Sequence, residues 1–189
     1  MTTSPKKVIY INYLDSLNEP KVKAVMAIIS EVIARDKPDT LYFLFSSSGG
    51  NVDPAITLYN FLRALPVEII MHNSGSIESM GNIVFLAADI RYASVHSSFL
   101  LHGITWGFEA NARLAKTQLN EIMSNLNLAE LKISGIIAER TNLTATEITA
   151  LFAQGESKDA AFALSKGIVS NIINPEIPKD AMILSLNLT

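Results

Sequence analysis

Ser79 is the residue whose setting points most directly to chemistry. It lies in the stretch Asn73 to Ala88 (N-S-G-S-I-E-S-M-G-N-I-V-F-L-A-A), between Gly75 and Gly81. The apolar run before it, Val67 to Met71, reads as a buried strand, and the apolar run after it has helical character. A serine at a sharp strand-to-helix turn presents its hydroxyl at a helix N-terminus. Free backbone N–H groups and the positive end of the dipole there favour a developing negative charge. Serine is also a common helix cap and glycine a common turn residue, so a structural turn is the competing reading of this stretch alone. A base is available among the three histidines. His102 closes the apolar run Phe99-Leu100-Leu101-His102 and is followed by Gly103, which puts it at a strand end. Nucleophile and base at one sheet edge can come within hydrogen-bond reach. His72 sits inside a strand and reads as structural; His96 follows Val95 in a turn and reads as exposed. The pair Gly49-Gly50 lies just past another apolar run. It marks backbone that approaches something closely or adopts positive φ, or else a flexible turn. Neither a dinucleotide fingerprint nor a phosphate loop is present.

The elements that must position these residues alternate. Val8 to Leu14 reads as a first strand and Thr40 to Phe45 as a second, the latter so apolar that both faces should be covered. Asn18 and Pro20 open a helix to about Arg35, with Val22, Val25, Met26, Ile29 and Ile33 at helical spacing. A second helix runs from about Pro54 to Ala64. Val67 to Asn73 forms the third strand, followed by a helix through about Ala88 and short strands at Ile90 to Ser94 and Ser97 to His102. This β-α-β-α-β-α-β-β order predicts a mostly parallel sheet with helices packed on it, joined by right-handed crossovers. Functional residues in such sheets gather at the carboxyl ends of strands, where Gly50, Ser79 and His102 all fall. Ala110 to Arg140 reads as a long helix, with a possible break near Asn125 to Asn127, and its apolar seam (Leu119, Ile122, Leu126, Ala129, Ile133, Ile136) could serve core or interface. Thr144 and Glu147 form a capping box for a short helix, Asp159 can cap a last one ending at Gly167, and Ile168 to Ile173 reads as a closing strand. With no repeat or linker, residues 1–189 are expected to form one domain.

Composition narrows the function further. There is no cysteine, which excludes disulfides, thiolate metal sites and a thiol nucleophile. A net charge of −3 makes nucleic acid and anionic membranes poor partners. No apolar run approaches the ~18 residues needed to span a bilayer. Met1 to Lys7 is polar and lacks the apolar core of a secretory signal, so cytoplasm is the expected setting. The chain is 49% hydrophobic and only 17% charged, so some apolar surface should be covered by other subunits.

Ser48-Gly49-Gly50-Asn51-Val52, Gly75 to Gly81, Phe99 to His102 and Lys166-Gly167-Ile168-Val169 stand in the order found in the Clp protease proteolytic subunit. From about Val8 to Ile173 the sequence resembles that family, serine peptidases of the crotonase-type superfold. The resemblance implies an α/β fold of repeated β-α units, with a mostly parallel sheet flanked by helices and a long handle helix. It implies Ser79 as nucleophile, His102 as general base and the N–H groups of Gly50 and Met80 as the oxyanion hole, with no cofactor and no metal. The substrate would be a peptide or unfolded polypeptide, and the partners further copies of the chain, in rings stacked through the handle helices. The chain departs from the pattern in places. Ser48 replaces a proline and should loosen its loop, and Ile77 and Glu78 replace small residues before the nucleophile. Glu78 would raise the His102 pKa if it faced the site. Gly155 stands where the family has its aspartate, leaving Glu156 as the candidate third member and Asp159 nearby. The chain starts almost at the first core strand, without the family's N-terminal segment that docks an unfoldase ring, which weakens the expectation of an ATPase partner. A Clp-like subunit that assembles but cleaves poorly is the alternative. A crotonase-type acyl-CoA enzyme is more remote, because no suitably placed pair of catalytic carboxylates is found.

Overall fold

The computed structural model describes residues 6–108 and 110–186. Strands β1 (Val8–Leu14), β2 (Thr40–Ser47), β3 (Glu68–Glu78), β4 (Ile90–Ala93) and β5 (Ser98–Leu100) alternate with helices α1 (Glu19–Asp36), α2 (Val52–Ala64) and α3 (Gly81–Phe85). The chain continues through α4 (Lys116–Arg140), α5 (Ala145–Gln154), β6 (Ser157–Asp159), α6 (Ala160–Ser165), β7 (Asn171–Ile172) and β8 (Met182–Ser185). The sheet runs β6-β5-β3-β2-β1-β8, with β4 beside β3 and β7 beside β4. Every pairing is parallel except β5 with β6. The α/β class and the mostly parallel sheet expected from the alternation are therefore found.

Alternating side chains fix the register. Ile9, Ile11 and Tyr13 of β1 and Leu41, Phe43 and Phe45 of β2 are buried with Val25 and Ile29 of α1 and Leu58 and Leu62 of α2. Each such side chain contributes on the order of 1.5–3 kcal/mol by leaving water. On the opposite pleat an aromatic row crosses four strands. The Tyr10 and Tyr42 rings lie 5.1 Å apart, His72 is 5.9 Å from Tyr42, and Tyr92 is 6.0 Å from His72. His72 is fully buried, with Nδ1 2.6 Å from the Tyr42 hydroxyl and Nε2 3.1 Å from Ser94 Oγ. Burial pushes its pKa down, so it stays neutral as a core hydrogen-bonding residue.

Arg91 ties the second half of the chain to the sheet. Its buried guanidinium donates to the carbonyls of Ile168 (2.7 Å), Ala88 (2.6 Å), Arg140 (2.8 Å) and Gly167 (3.0 Å). Desolvation lowers its pKa to about 10, so it remains charged at neutral pH. One cation thereby fixes the end of α4 and the turn after α6 against β4.

Several boundaries differ from the sequence expectation. β3 does not stop at Asn73 but runs to Glu78, first paired with β4 (Ile70 to Asn73) and then with β5 (Ser76 to Glu78). The Asn73 side chain bridges this change, donating to Ser98 O (2.8 Å) and accepting from Gly75 N (3.0 Å). α4 begins at Lys116 rather than Ala110, with Gln118 accepting from Ala115 N (2.8 Å), and passes unbroken through Asn125 to Asn127. β6 and β8 are extra strands, formed by pairing with β5 and β1 respectively. Among the described residues no helix is long and apolar enough to cross a membrane.

Candidate active site

The turn after β3 carries Ser79 in a left-handed conformation, φ 50°. For a residue with a β-carbon this costs roughly 1–2 kcal/mol, and the surrounding main chain compensates. Ser79 N donates to Leu100 O (2.8 Å) and Ser79 O accepts from Asn82 N (3.1 Å). The Ser48-Gly49-Gly50 loop after β2 lies directly against this turn. A β-carbon on Gly49 would fall 2.6 Å from Ser79 Cβ, and one on Gly50 would fall 2.1 Å from Leu17 O. Only glycine allows that approach, with φ 81° at Gly49 and 150° at Gly50. Ser48 does not leave the loop untethered. Leu17 N donates to Gly49 O, Asn51 N to Leu17 O (both 2.7 Å), and Gly49 N to Ser47 Oγ (3.1 Å).

Gly50, Ser79, Met80 and His102 line one narrow cleft of about 90 Å³, walled by Ile83, Ile133, Ile137 and Phe152. Four residues named from the sequence are thus brought together from three strand ends. Among the described residues, neither the Gly50 N–H nor the Met80 N–H has a hydrogen-bond acceptor in the protein, so both remain available to an oxyanion. His102 Nδ1 lies 2.7 Å from Gly103 O. A carbonyl only accepts, so Nδ1 carries the proton and neutral His102 keeps Nε2 as an acceptor. Gly103 N in turn donates to Phe152 O at the end of α5 (3.2 Å).

Glu156 is not brought to this cleft. The left-handed C-cap at Gly155 (φ 59°) turns the chain so that Glu156 is exposed, 2.9 Å from Lys158 Nζ. The hydrogen bond from Lys158 and its charge lower the Glu156 pKa. Asp159 caps α6, accepting from Phe162 N (2.8 Å). Glu78 also stays out of the cleft and accepts from Ser76 Oγ (2.9 Å). A residue that the sequence reading missed is Asn82, which is buried and lines the cleft beside Ser79. Its only sequence signal is a polar residue between Gly81 and the apolar run Ile83 to Ala88. His96 is exposed in the turn before β5. No cluster of three metal-binding side chains occurs among the described residues.

A strained serine, a histidine with one free ring nitrogen and two unoccupied N–H donors in one cleft are the parts that nucleophilic serine hydrolysis requires. The Clp protease family model matches residues 6–176, and the chain belongs to that family. The chain is 29% identical over 147 residues to the ATP-dependent Clp protease proteolytic subunit 2 of Pseudomonas aeruginosa, covering 77% of this chain and 71% of the relative. It is 26% identical over 155 residues to the corresponding subunit 2 of Treponema pallidum, covering 80% and 75%. Among solved structures, a mutant ClpP1 from Listeria monocytogenes superposes with TM-score 0.73 at 16% identity, over 89% of this chain and 92% of that one, which establishes the shared fold.

Proposed function

We propose that this protein is a serine-type endopeptidase of the Clp proteolytic kind, a single Clp-type domain that hydrolyses peptide bonds in peptides or unfolded polypeptides. The observation that carries the reading is the convergence of Ser79, His102 and the free Gly50 and Met80 N–H groups on one cleft. A wider open groove of about 740 Å³ shares Val52, Ile104 and Thr105 with the cleft and runs between the start of α2 and the face of α4 bearing Leu126 and Ala129. It has room for several residues of an extended chain, which favours a polypeptide over a small ester.

In this reading Ser79 Oγ attacks the scissile carbonyl carbon while His102 Nε2 takes the hydroxyl proton. The oxyanion is met by the Gly50 and Met80 N–H groups. The imidazolium then returns its proton to the leaving amine, and the acyl group stays on Ser79 until water, deprotonated by His102, releases it. Gly103 O replaces a carboxylate as the acceptor that holds the Nδ1–H tautomer. It supplies orientation but no full negative charge for the imidazolium, so turnover should be slow.

Assembly follows from the unpaired half of α4. Its buried positions are Ile133 and Ile137, whereas Leu119, Met123 and Leu131 are exposed at 45, 55 and 70%. An apolar helix projecting in this way is suited to pairing with another copy, giving homo-oligomeric rings stacked through these helices. The test of function is turnover of an internally quenched peptide. Wild type should cleave it and Ser79→Ala should not; cleavage by Ser79→Ala equal to wild type would overturn the reading.

A further inference from the structure

Asn82 is 3% exposed and holds the nucleophile turn from within the protein. Its amide nitrogen lies 3.0 Å from Ser79 O and 2.8 Å from Leu100 O. These two contacts take both amide hydrogens; the 3.5 Å approach to Ile77 O is too long to compete. The orientation of the side chain is fixed by its surroundings, because the reversed amide would set an oxygen against two carbonyl oxygens. The other amide atom, Oδ1, is buried with no partner among the described residues. An unpaired buried acceptor is costly, so a purely structural site would be served better by an apolar side chain of the same shape.

The benefit lies in the Ser79–Met80 peptide. A trans peptide is planar, with its carbonyl and N–H pointing in opposite directions. Holding Ser79 O on one side therefore aims the Met80 N–H to the other, into the cleft. Ser79 O accepts from both Asn82 N and Asn82 Nδ2, and Leu100 O accepts from both Ser79 N and Asn82 Nδ2. Leu100 precedes His102 by two residues, so the same amide also ties the nucleophile turn to the strand carrying the base.

We propose that Asn82 is a positioning residue for the oxyanion hole: its buried amide sets the Ser79–Met80 peptide so that the Met80 N–H faces the developing oxyanion, and couples that peptide to the His102 strand. The assignment rests on the serine-peptidase reading above. Asn82→Leu keeps the volume, removes both donations and the unpaired oxygen, and leaves Ser79 O and Leu100 O one main-chain partner each. Its melting temperature should stay near that of wild type, while kcat on the quenched peptide falls by about 10²-fold, as expected when an oxyanion donor is lost, with KM within about twofold. Asn82→Ala, measured alongside, should show the same split. A crystal structure of Asn82→Leu gives a second readout that needs no activity: the Ser79–Met80 peptide should be rotated, with the Met80 N–H out of the cleft. An unchanged kcat, a loss confined to KM, or an unmoved peptide would overturn the proposal. If wild type itself proves inert, the serine-peptidase reading falls and the peptide orientation alone decides the role of Asn82.

Discussion

Gly50→Ala should disable the site while leaving most of the fold in place. The added Cβ would lie 2.1 Å from Leu17 O and 2.7 Å from Leu17 C, distances that real β-carbons essentially never show. The obstacle is main chain, held by the bonds of Leu17 to Gly49 and Asn51, so it cannot swing aside as a side-chain tip would. Relief requires the loop to move by about 1 Å and to leave φ 150°, and a misplacement of about 1 Å costs on the order of 10²-fold in rate. The Gly50 N–H would then lie outside the narrow range of about 2.7–3.1 Å over which a donor serves an oxyanion. Turnover of the quenched peptide should fall by roughly 10²–10³-fold with KM little changed, because the loss concerns the transition state. Steady-state kinetics with thermal unfolding in parallel is the assay. A kcat within about threefold of wild type, in a folded protein, would refute Gly50 as an oxyanion donor.

Glu156→Gln should keep kcat within about threefold of wild type, since a solvent-exposed ion pair with Lys158 contributes little and His102 is oriented by Gly103 O; a loss near 10⁴-fold, the scale seen when a triad aspartate is disabled, would return Glu156 to the site. Glu147, hydrogen-bonded by Lys166 and by Thr144, has its pKa pulled down to about 2. Its folded value lies below the unfolded one, so its stabilisation is complete above pH ~4.5 and is lost as pH falls toward ~2. Acid titration of Glu147→Gln by circular dichroism should show a shallower loss of stability across that window. Leu131→Asp, on the exposed apolar face of α4, should split the assembly into smaller units, read by light scattering coupled to size exclusion; a wild-type monomer at micromolar concentration would show that α4 does not pair.

Local signals were legible in the sequence and long-range ones were not. Asn18 caps α1, accepting from Lys21 N (3.0 Å), and Thr144 with Glu147 caps α5 in both directions, because these contacts span three residues and are written in residue type. β1 through β5 were readable because buried parallel strands are apolar runs. β6 and β8 were not: Ser157-Lys158-Asp159 has no strand character of its own and becomes one only against β5, as Met182 to Ser185 does against β1. The same division applies to the site. Ser79, His102 and the Gly49-Gly50 pair carry residue-type signals. The left-handed Ser79, the Asn82 amide and the Gly103 carbonyl act through main-chain geometry that no spacing pattern displays. Position along the chain alone points to Glu156, and the left-handed turn at Gly155 directs it to solvent instead.

The most direct test of the account is to treat the purified protein with a fluorophosphonate probe and map the adduct by peptide mass spectrometry. The label should sit on Ser79 alone, and it should be absent from Ser79→Ala and strongly slowed in His102→Ala. A label on another residue, or equal labelling of wild type and Ser79→Ala, would contradict the assignment of Ser79 as the nucleophile.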